Sequence, residues 1–116
     1  MSSTIEVMSH LIYEYRKKLR SLALYTFNAS MKDEVEEWLT CRHIDYILQE
    51  VTPSKYNVFF GDTSCLNVIR HIGGDKPLGQ YTPEEDFMLG IMLGYDRLEQ
   101  CRRYQKRVSV PHAEAV

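Results

Sequence analysis

The sequence lacks the features that mark membrane-spanning and secreted proteins. Its longest apolar stretch, residues 87–95, is shorter than the roughly 20 apolar residues that a helix needs to cross a bilayer. The first residues show no charged-then-apolar signal pattern. The three cysteines are an odd number and form no C-x-x-C pair, which argues against a disulfide framework. We therefore expect a cytoplasmic protein that does not bind membranes.

The sequence also lacks an excess of charge of one sign. Its 116 residues carry 14 lysines and arginines against 16 aspartates and glutamates, which gives a formal net charge of −2. This balance predicts no global attraction to nucleic acid, which would have to bind through a local patch. A hydrophobic content of 44% is typical of a globular domain, and a chain of this length can build one core without disulfides.

What the sequence does have is a clear succession of helical and strand patterns. Apolar residues at spacings of three and four predict helices, and short runs rich in β-branched and aromatic residues predict strands. The strongest local signal is the capping box of Thr82 and Glu85, with Pro83 at the first helical position. In order, the predicted elements are helix 5–19, strand 22–27, helix 31–39, strand 44–51, strand 56–60, helix 63–72 and helix 83–106.

These elements predict an α+β fold, in which a small three-stranded mixed sheet packs against four or five helices in the order α-β-α-β-β-α-α. A right-handed crossover would leave the first two strands parallel, and the short turn between the second and third would make them an antiparallel hairpin. We expect the helices to cover one face of the sheet. Residues 1–107 would form this single domain, and residues 108–116, which have no periodicity, would be a disordered C-terminal tail.

Several segments resemble a family of uncharacterised bacterial proteins of similar length, known as domain of unknown function 2023. The resemblance rests on the runs at residues 10–15, 19–26, 57–61 and 90–96, and it covers residues 8 to about 107. It implies three strands, several helices and a homodimer, and it implies no activity. Members of this family are associated with genes that lie near flavodoxin genes, so the resemblance suggests a flavodoxin-like protein partner.

The turn Gly61-Asp62-Thr63-Ser64-Cys65 follows an apolar strand and opens a helix. Free N–H groups at such a helix start are suited to an anion, and we consider Gly61, Thr63, Ser64 and Cys65 as a candidate anion-binding or enzymatic site. The helix start could also lower the pKa of the Cys65 thiol and make it nucleophilic. Against this, Asp62 is a typical N-cap whose charge would repel an anion, and Cys65 is more typical of a buried structural residue.

Two basic segments lie near the ends of the chain, at residues 16–20 and 102–107. If the terminal helices lay together, the two segments would form one patch suited to RNA or to an acidic protein. The alternative is a solvated face, with cations placed favourably at helix C-termini. No second pair of ligands at metal spacing accompanies Cys41 and His43, so we expect no metal site.

The last predicted helix contains the small-residue spacing Gly90-x-x-x-Gly94, which lets another backbone approach closely. The segment around it is apolar on nearly all sides, so it should be buried on more than one side. We therefore predict a dimer interface that includes Phe87, Gly90, Ile91, Gly94 and Tyr95. The alternative is that the same residues belong to the core of one subunit.

Taken together, the residues favour a non-enzymatic homodimeric interaction protein without a cofactor, which docks an acidic redox carrier such as flavodoxin. One alternative is a small-molecule or anion binder, or an enzyme, that uses the turn at residues 61–65. The other is an RNA-binding module that uses the basic helix ends.

Overall fold

The computed structural model of the protein describes residues 3–73 and 76–115, with side chains as far as Ser109. The α+β class and the order of the elements are confirmed. Within the described residues, no helix has the length and apolar character needed to cross a membrane. The helices and strands are α1 Ser3–Arg16, β1 Leu22–Asn28, α2 Lys32–Cys41, β2 Tyr46–Thr52, β3 Lys55–Gly61, α3 Thr63–Ile72, α4 Pro83–Met92 and α5 Arg97–Ala115.

The three strands form one sheet in the order β1-β3-β2. The β2–β3 hairpin turns over Pro53 and Ser54, and β3 then lies between the other two strands. As the crossover predicts, β1 and β2 run in the same direction, but each of them pairs only with β3. Both pairings are antiparallel, with Leu24 and Ile47 each opposite Phe59. The sheet is therefore antiparallel rather than mixed.

Helices cover both faces of the sheet, not one face as expected. Neighbouring strand residues alternate between two hydrophobic clusters, because successive side chains of a strand point to opposite faces. We call α1 and α2 the first layer, and α3, α4 and α5 the second layer. The first cluster contains Met8, Ile12, Ala23, Phe27, Val35, Leu39, Ile44, Val58 and Phe60. The second contains Leu22, Phe59, Leu66, Ile69, Tyr81, Leu89 and Leu93.

The single helix predicted over residues 83–106 is two helices joined by a sharp turn. The capping box is confirmed, since the Thr82 side chain accepts from the Glu85 N–H and the Glu85 side chain accepts from the Thr82 N–H. However, Gly94 adopts a φ of 82°, which ends α4. The Asp96 carboxylate then accepts from the Glu99 N–H at 2.9 Å and caps α5, which packs back on α4. The backbone of α5 is helical to Ala115, past the domain boundary expected at residue 107.

Helix α1 ends at Arg16, three residues before the predicted end at Leu19. Leu19 lies in the turn that follows the helix, and 71% of its surface is exposed. The turn is closed by two hydrogen bonds, from the Lys18 N–H to the Tyr15 carbonyl and from the Leu19 N–H to the Glu14 carbonyl. These bonds are those of a Schellman motif, with Lys18 in the left-handed position.

Candidate functional site

The turn at residues 61–65 is held in place by contacts within the chain. A Cβ atom at Gly61 would overlap the carbonyl oxygen of Ser21, so glycine is required by the close approach of the chain before β1. The Asp62 carboxylate accepts a hydrogen bond from the Ser64 N–H at 2.9 Å and caps α3. The capping interpretation therefore accounts for Gly61, Asp62 and Ser64.

Two carboxylates flank the start of α3 and disfavour an anion there. The hydroxyl of Thr63 donates to the Asp45 carboxylate at 2.6 Å, and Asp62 lies one residue before it. The Cys65 side chain is half-buried, and its burial, together with the charge of Asp62, raises the pKa of its thiol. A thiol with a raised pKa is a poor nucleophile, so this turn offers little to either an anion or a covalent mechanism.

The two glycines of the predicted dimer interface have roles within one chain. Gly90 is buried under the Gln100 side chain of α5, where a Cβ atom would overlap that side chain. Gly94 supplies the positive φ that separates α4 from α5. The other members of the set lie on or near the surface of the α4–α5 pair: Phe87 packs edge-on against Tyr104, Ile91 is 39% exposed and Tyr95 is 54% exposed. For these three residues the dimer interface stays a prediction.

Three of the four cations in the basic segment at residues 102–107 contact acidic residues within the second layer. Arg103 makes a two-pronged contact with the Asp86 carboxylate, at 2.7 and 3.1 Å, and Arg107 lies 3.6 Å from the same carboxylate. The hydrogen bond from Arg103 holds the pKa of Asp86 below its usual range. Arg102 pairs with Glu99 at 3.0 Å. This segment therefore fastens α5 to α4.

The basic segment at residues 16–20 keeps most of its charge exposed. Arg20 lies 3.3 Å from the Glu14 carboxylate. Among the described residues, no carboxylate oxygen lies within 4.0 Å of the charged nitrogens of Arg16, Lys17 or Lys18. Since this segment belongs to the first layer and α5 to the second, the two basic segments do not form the single patch that the sequence allowed.

A basic–aromatic cleft of about 470 Å³ lies between α1 and α2, beside the first basic segment. The guanidinium group of Arg42 lies 4.0 Å from the centre of the Trp38 ring and donates to the Trp38 carbonyl at 3.0 Å. The ammonium group of Lys17 lies 5.7 Å from the centre of the Tyr13 ring. The cleft is lined by Ile12, Tyr13, Arg16, Lys17, Trp38 and Arg42.

Two residues with left-handed backbone conformations lie in the turns that directly follow the helices that form this cleft. Lys18 has a φ of 62° and His43 a φ of 57°, and within the described residues they are the two non-glycine residues with a positive φ. Each directly follows a cation of the cleft, Lys17 or Arg42. The turn at His43 is a second Schellman motif, since the His43 N–H donates to Thr40 and the Ile44 N–H to Leu39. Non-glycine residues held in this conformation carry a cost in stability and often mark functional sites.

The profile of a family described as "Protein of unknown function (DUF2023)" matches residues 6–107. The chain belongs to this family. The match confirms the family resemblance seen in the sequence, and it covers the sheet and all five helices except the last residues of α5 and the first of α1. No curated protein matches the chain at a significant level. The function of this DUF2023 protein must therefore be argued from its geometry.

Sequence reasoning missed the cleft in this DUF2023 protein, whose lining includes Trp38. The residue is only half-buried, and its exposed side is covered by Arg42. The spacing of four residues between Trp38 and Arg42 was the available signal, because it places the two side chains on one face of a helix. What the sequence could not show is that α1 lies beside this face.

Proposed function

We propose that this protein is a non-enzymatic docking module that binds an acidic surface of a partner protein in the basic–aromatic cleft. The observation that carries the proposal is the set of three cations, Arg16, Lys17 and Arg42, which surround two aromatic rings and have no carboxylate partner among the residues that the structure describes. Arginine and aromatic side chains are enriched at the centres of protein interfaces. Carboxylates of a partner would supply the missing counter-charge.

The surroundings of the cleft favour a compact acidic patch over a long polyanion. Asp33, Glu34 and Glu37 are exposed on α2, the helix that also carries Trp38 and Arg42. A nucleic-acid strand extends beyond a cleft of this size, and along α2 its phosphates would meet these carboxylates. The acidic patch of a folded protein can match the cleft alone. The formal net charge of −2 over the whole chain also disfavours a nucleic-acid ligand.

An exposed apolar residue beside the cations supports protein docking. Leu19 follows Lys18 directly, and 71% of its surface is exposed. An apolar side chain with a rim of charges resembles the centre of a protein interface, where it can be buried while the charges set the orientation. Leu19 would contribute contact area, and the neighbouring cations would contribute the rate of association and the specificity.

The left-handed turns support the same role. A residue other than glycine in this conformation costs about 1 kcal/mol, so the cheaper choice for both turns is glycine. Lys18 and His43 instead carry a basic side chain and an imidazole, each next in the sequence to a cation of the cleft. A function that needs these side chains explains why the protein tolerates the strain.

Trp38 allows the proposal to be tested directly, because it is the single tryptophan of the chain and it lies in the cleft. An acidic flavodoxin is the first partner to test, in line with the family resemblance. We expect titration with flavodoxin at low salt to change the Trp38 fluorescence, with a dissociation constant that rises with ionic strength. Titration without any change up to high micromolar flavodoxin would show that flavodoxin is not the partner.

Charge-reversal variants locate the binding surface. Arg42→Glu and Lys17→Glu should each weaken binding by about tenfold, which corresponds to about 1.4 kcal/mol. The matched control is Arg102→Glu on α5, which makes the same change outside the cleft and should leave the affinity unchanged. Equal losses in all three variants would indicate attraction by the overall charge, without a specific site. Binding of single-stranded RNA, lost in the cleft variants, would establish an RNA-binding function in its place.

A further inference from the structure

The three cations of the basic–aromatic cleft differ in how firmly their side chains are held. The guanidinium group of Arg42 lies 4.0 Å from the centre of the Trp38 ring, and its Nη1 donates to the Trp38 carbonyl at 3.0 Å. The ammonium group of Lys17 lies over the Tyr13 ring at the longer distance of 5.7 Å. Within the described residues, the Arg16 side chain has neither an ion pair nor a ring contact. Arg42 is therefore the most firmly placed of the three.

The backbone that carries Arg42 is fixed as well. The Arg42 N–H donates to the Leu39 carbonyl at 3.1 Å, and the Schellman motif at His43 follows directly. Ile44, the next residue, is buried in the first hydrophobic cluster. Since the chain is held on both sides of Arg42 and the guanidinium group is held by Trp38, little conformational entropy is lost when Arg42 binds a ligand.

The contacts of Arg42 leave one edge of its guanidinium group available. In arginine, the N–H groups of Nε and Nη2 point in parallel along one edge, which matches the two oxygens of a carboxylate. Nη1, which does not belong to that edge, is the nitrogen that donates to Trp38. Within the described part of the chain, no carboxylate lies within 4.0 Å of Arg42. Arg42 is therefore held by one side of the group and can bind with the other.

We infer that Arg42 is the specificity-determining residue of the cleft and binds one side-chain carboxylate of the partner through two parallel hydrogen bonds from Nε and Nη2. This inference rests on the proposed docking function and adds the kind of acidic group that the cleft recognises. Trp38 is a positioning residue, because its ring and its carbonyl both hold the guanidinium group. Arg16 and Lys17 attract the partner by charge, with weaker demands on the geometry of its acidic groups.

The charge next to Trp38 favours a carboxylate over a phosphate group, although arginine can bind either through two parallel bonds. Glu34 precedes Trp38 by four residues, so these two side chains share one face of α2, as Trp38 and Arg42 do. Among the described residues, no cation lies within 4.0 Å of the Glu34 carboxylate. Its charge repels a phosphate group, which carries nearly two negative charges, more strongly than a carboxylate, which carries one.

Arginine-to-lysine substitutions test the inference, because they keep the charge and remove the planar guanidinium group. In calorimetric titrations with flavodoxin, Arg42→Lys should weaken binding by about tenfold and Arg16→Lys by about twofold. The matched control is Arg102→Lys on α5, outside the cleft, which should leave the affinity unchanged. Equal losses for Arg42→Lys and Arg16→Lys, or an Arg42→Lys variant that binds as well as the wild type, would overturn the inference and leave the docking function standing.

A measurement without a protein partner separates this inference from the docking function. The NMR signal of an arginine Nε–H moves when that group donates to a carboxylate. Titration with glutarate at constant ionic strength should move the Nε–H signal of Arg42 and leave that of Arg102 in place, and inorganic phosphate should have a smaller effect. This result together with no binding of flavodoxin would support the inference and count against flavodoxin as the partner. An Arg42 signal that does not respond to glutarate, or responds more to phosphate, would overturn it.

The positioning role of Trp38 is tested in the same titration. Trp38→Leu removes the ring that holds the guanidinium group and should reduce the response of the Arg42 signal to glutarate. Trp38→Phe keeps an aromatic ring and should restore most of that response, and circular dichroism checks that both variants are folded. A full response in Trp38→Leu would show that the ring does not position Arg42.

Discussion

The two helical layers of this protein differ in how they use charge and backbone conformation. In the second layer, Asp86 pairs with both Arg103 and Arg107, and Gly94 occupies the left-handed turn that ends α4. In the first layer, α1 ends in the same hydrogen-bonded turn with Lys18, whose charge has no carboxylate partner within the described part of the chain. The difference shows that basic residues close together in the sequence can have different structural roles. In the second layer, the basic segment stabilises the pair of helices α4 and α5. In the first layer, the basic segment leaves its charges available to a binding partner.

The largest effect is expected at Gly61, where the second layer connects to the sheet. Gly61 has a φ of 145°, and a Cβ atom there would overlap the backbone of Ser21. Gly61→Ala should lower the free energy of unfolding by about 3 kcal/mol, because neither backbone segment can move away cheaply. Gly79→Ala is the matched control, since no atom lies within 4 Å of its Cβ position, and it should have little effect. Urea denaturation measures both changes, and equal stabilities for the two variants would contradict the expectation.

Substitutions in the equivalent turns of the two layers should change the stability of the protein in opposite directions. Gly94→Ala forces a Cβ atom into a left-handed conformation and should destabilise the protein by about 1 to 2 kcal/mol. Lys18→Gly relieves the same strain in α1 and should stabilise the protein by about 0.5 to 1 kcal/mol. The stabilised variant should also bind an acidic partner less well than the wild type. If Lys18→Gly lost stability, Lys18 would have a structural role, and the functional contrast between the layers would fail.

The ion pairs of the two layers should differ in their contribution to stability. Asp86→Ala leaves two arginines without their carboxylate and should cost about 1 kcal/mol. Glu14→Ala removes only the long contact with Arg20, which lies on a half-exposed surface, and should cost about 0.3 kcal/mol or less. Thermal denaturation of the two variants at one salt concentration allows a direct comparison. A larger loss of stability for Glu14→Ala than for Asp86→Ala would contradict the view that the ion pairs of the second layer are the stabilising ones.

The contribution of Asp86 should depend on pH. Since the pKa of Asp86 is lowered in the folded protein, its stabilisation is present above the unfolded pKa of about 3.9 and is lost as the pH falls through the folded value. The difference in stability between the wild type and Asp86→Asn should therefore be full at pH 7 and shrink below about pH 4. Denaturation curves of both proteins across this range measure it, and a difference that grew on acidification would have the wrong sign.

Sequence patterns that involve residues close together in the chain predicted the starts of α3 and α4 correctly. The capping box at Thr82 and the cap at Asp62 were recognised because their partners lie within three residues. The break between α4 and α5 was missed because the apolar run across it looks continuous, although Gly94 followed by Asp96 is a stop signal followed by a start signal. The pairing of both outer strands with β3, and the helices on both faces, depend on contacts between distant residues that no short pattern contains. The cleft was missed for the same reason.

The strand order β1-β3-β2 also implies a sequence of events during folding. The β2–β3 hairpin closes over two residues, whereas β1 reaches β3 only after the intervening α2 has been placed. Loop closure favours the nearer contact, so the hairpin is expected to form first and β1 to join last. Until then, the vacant side of β3 can accept β1 from another molecule, and a slow exchange of this strand between chains becomes a route to misassembly. Pulse-labelling hydrogen exchange during refolding would detect this order as early protection of β3 against β2 and late protection of β1.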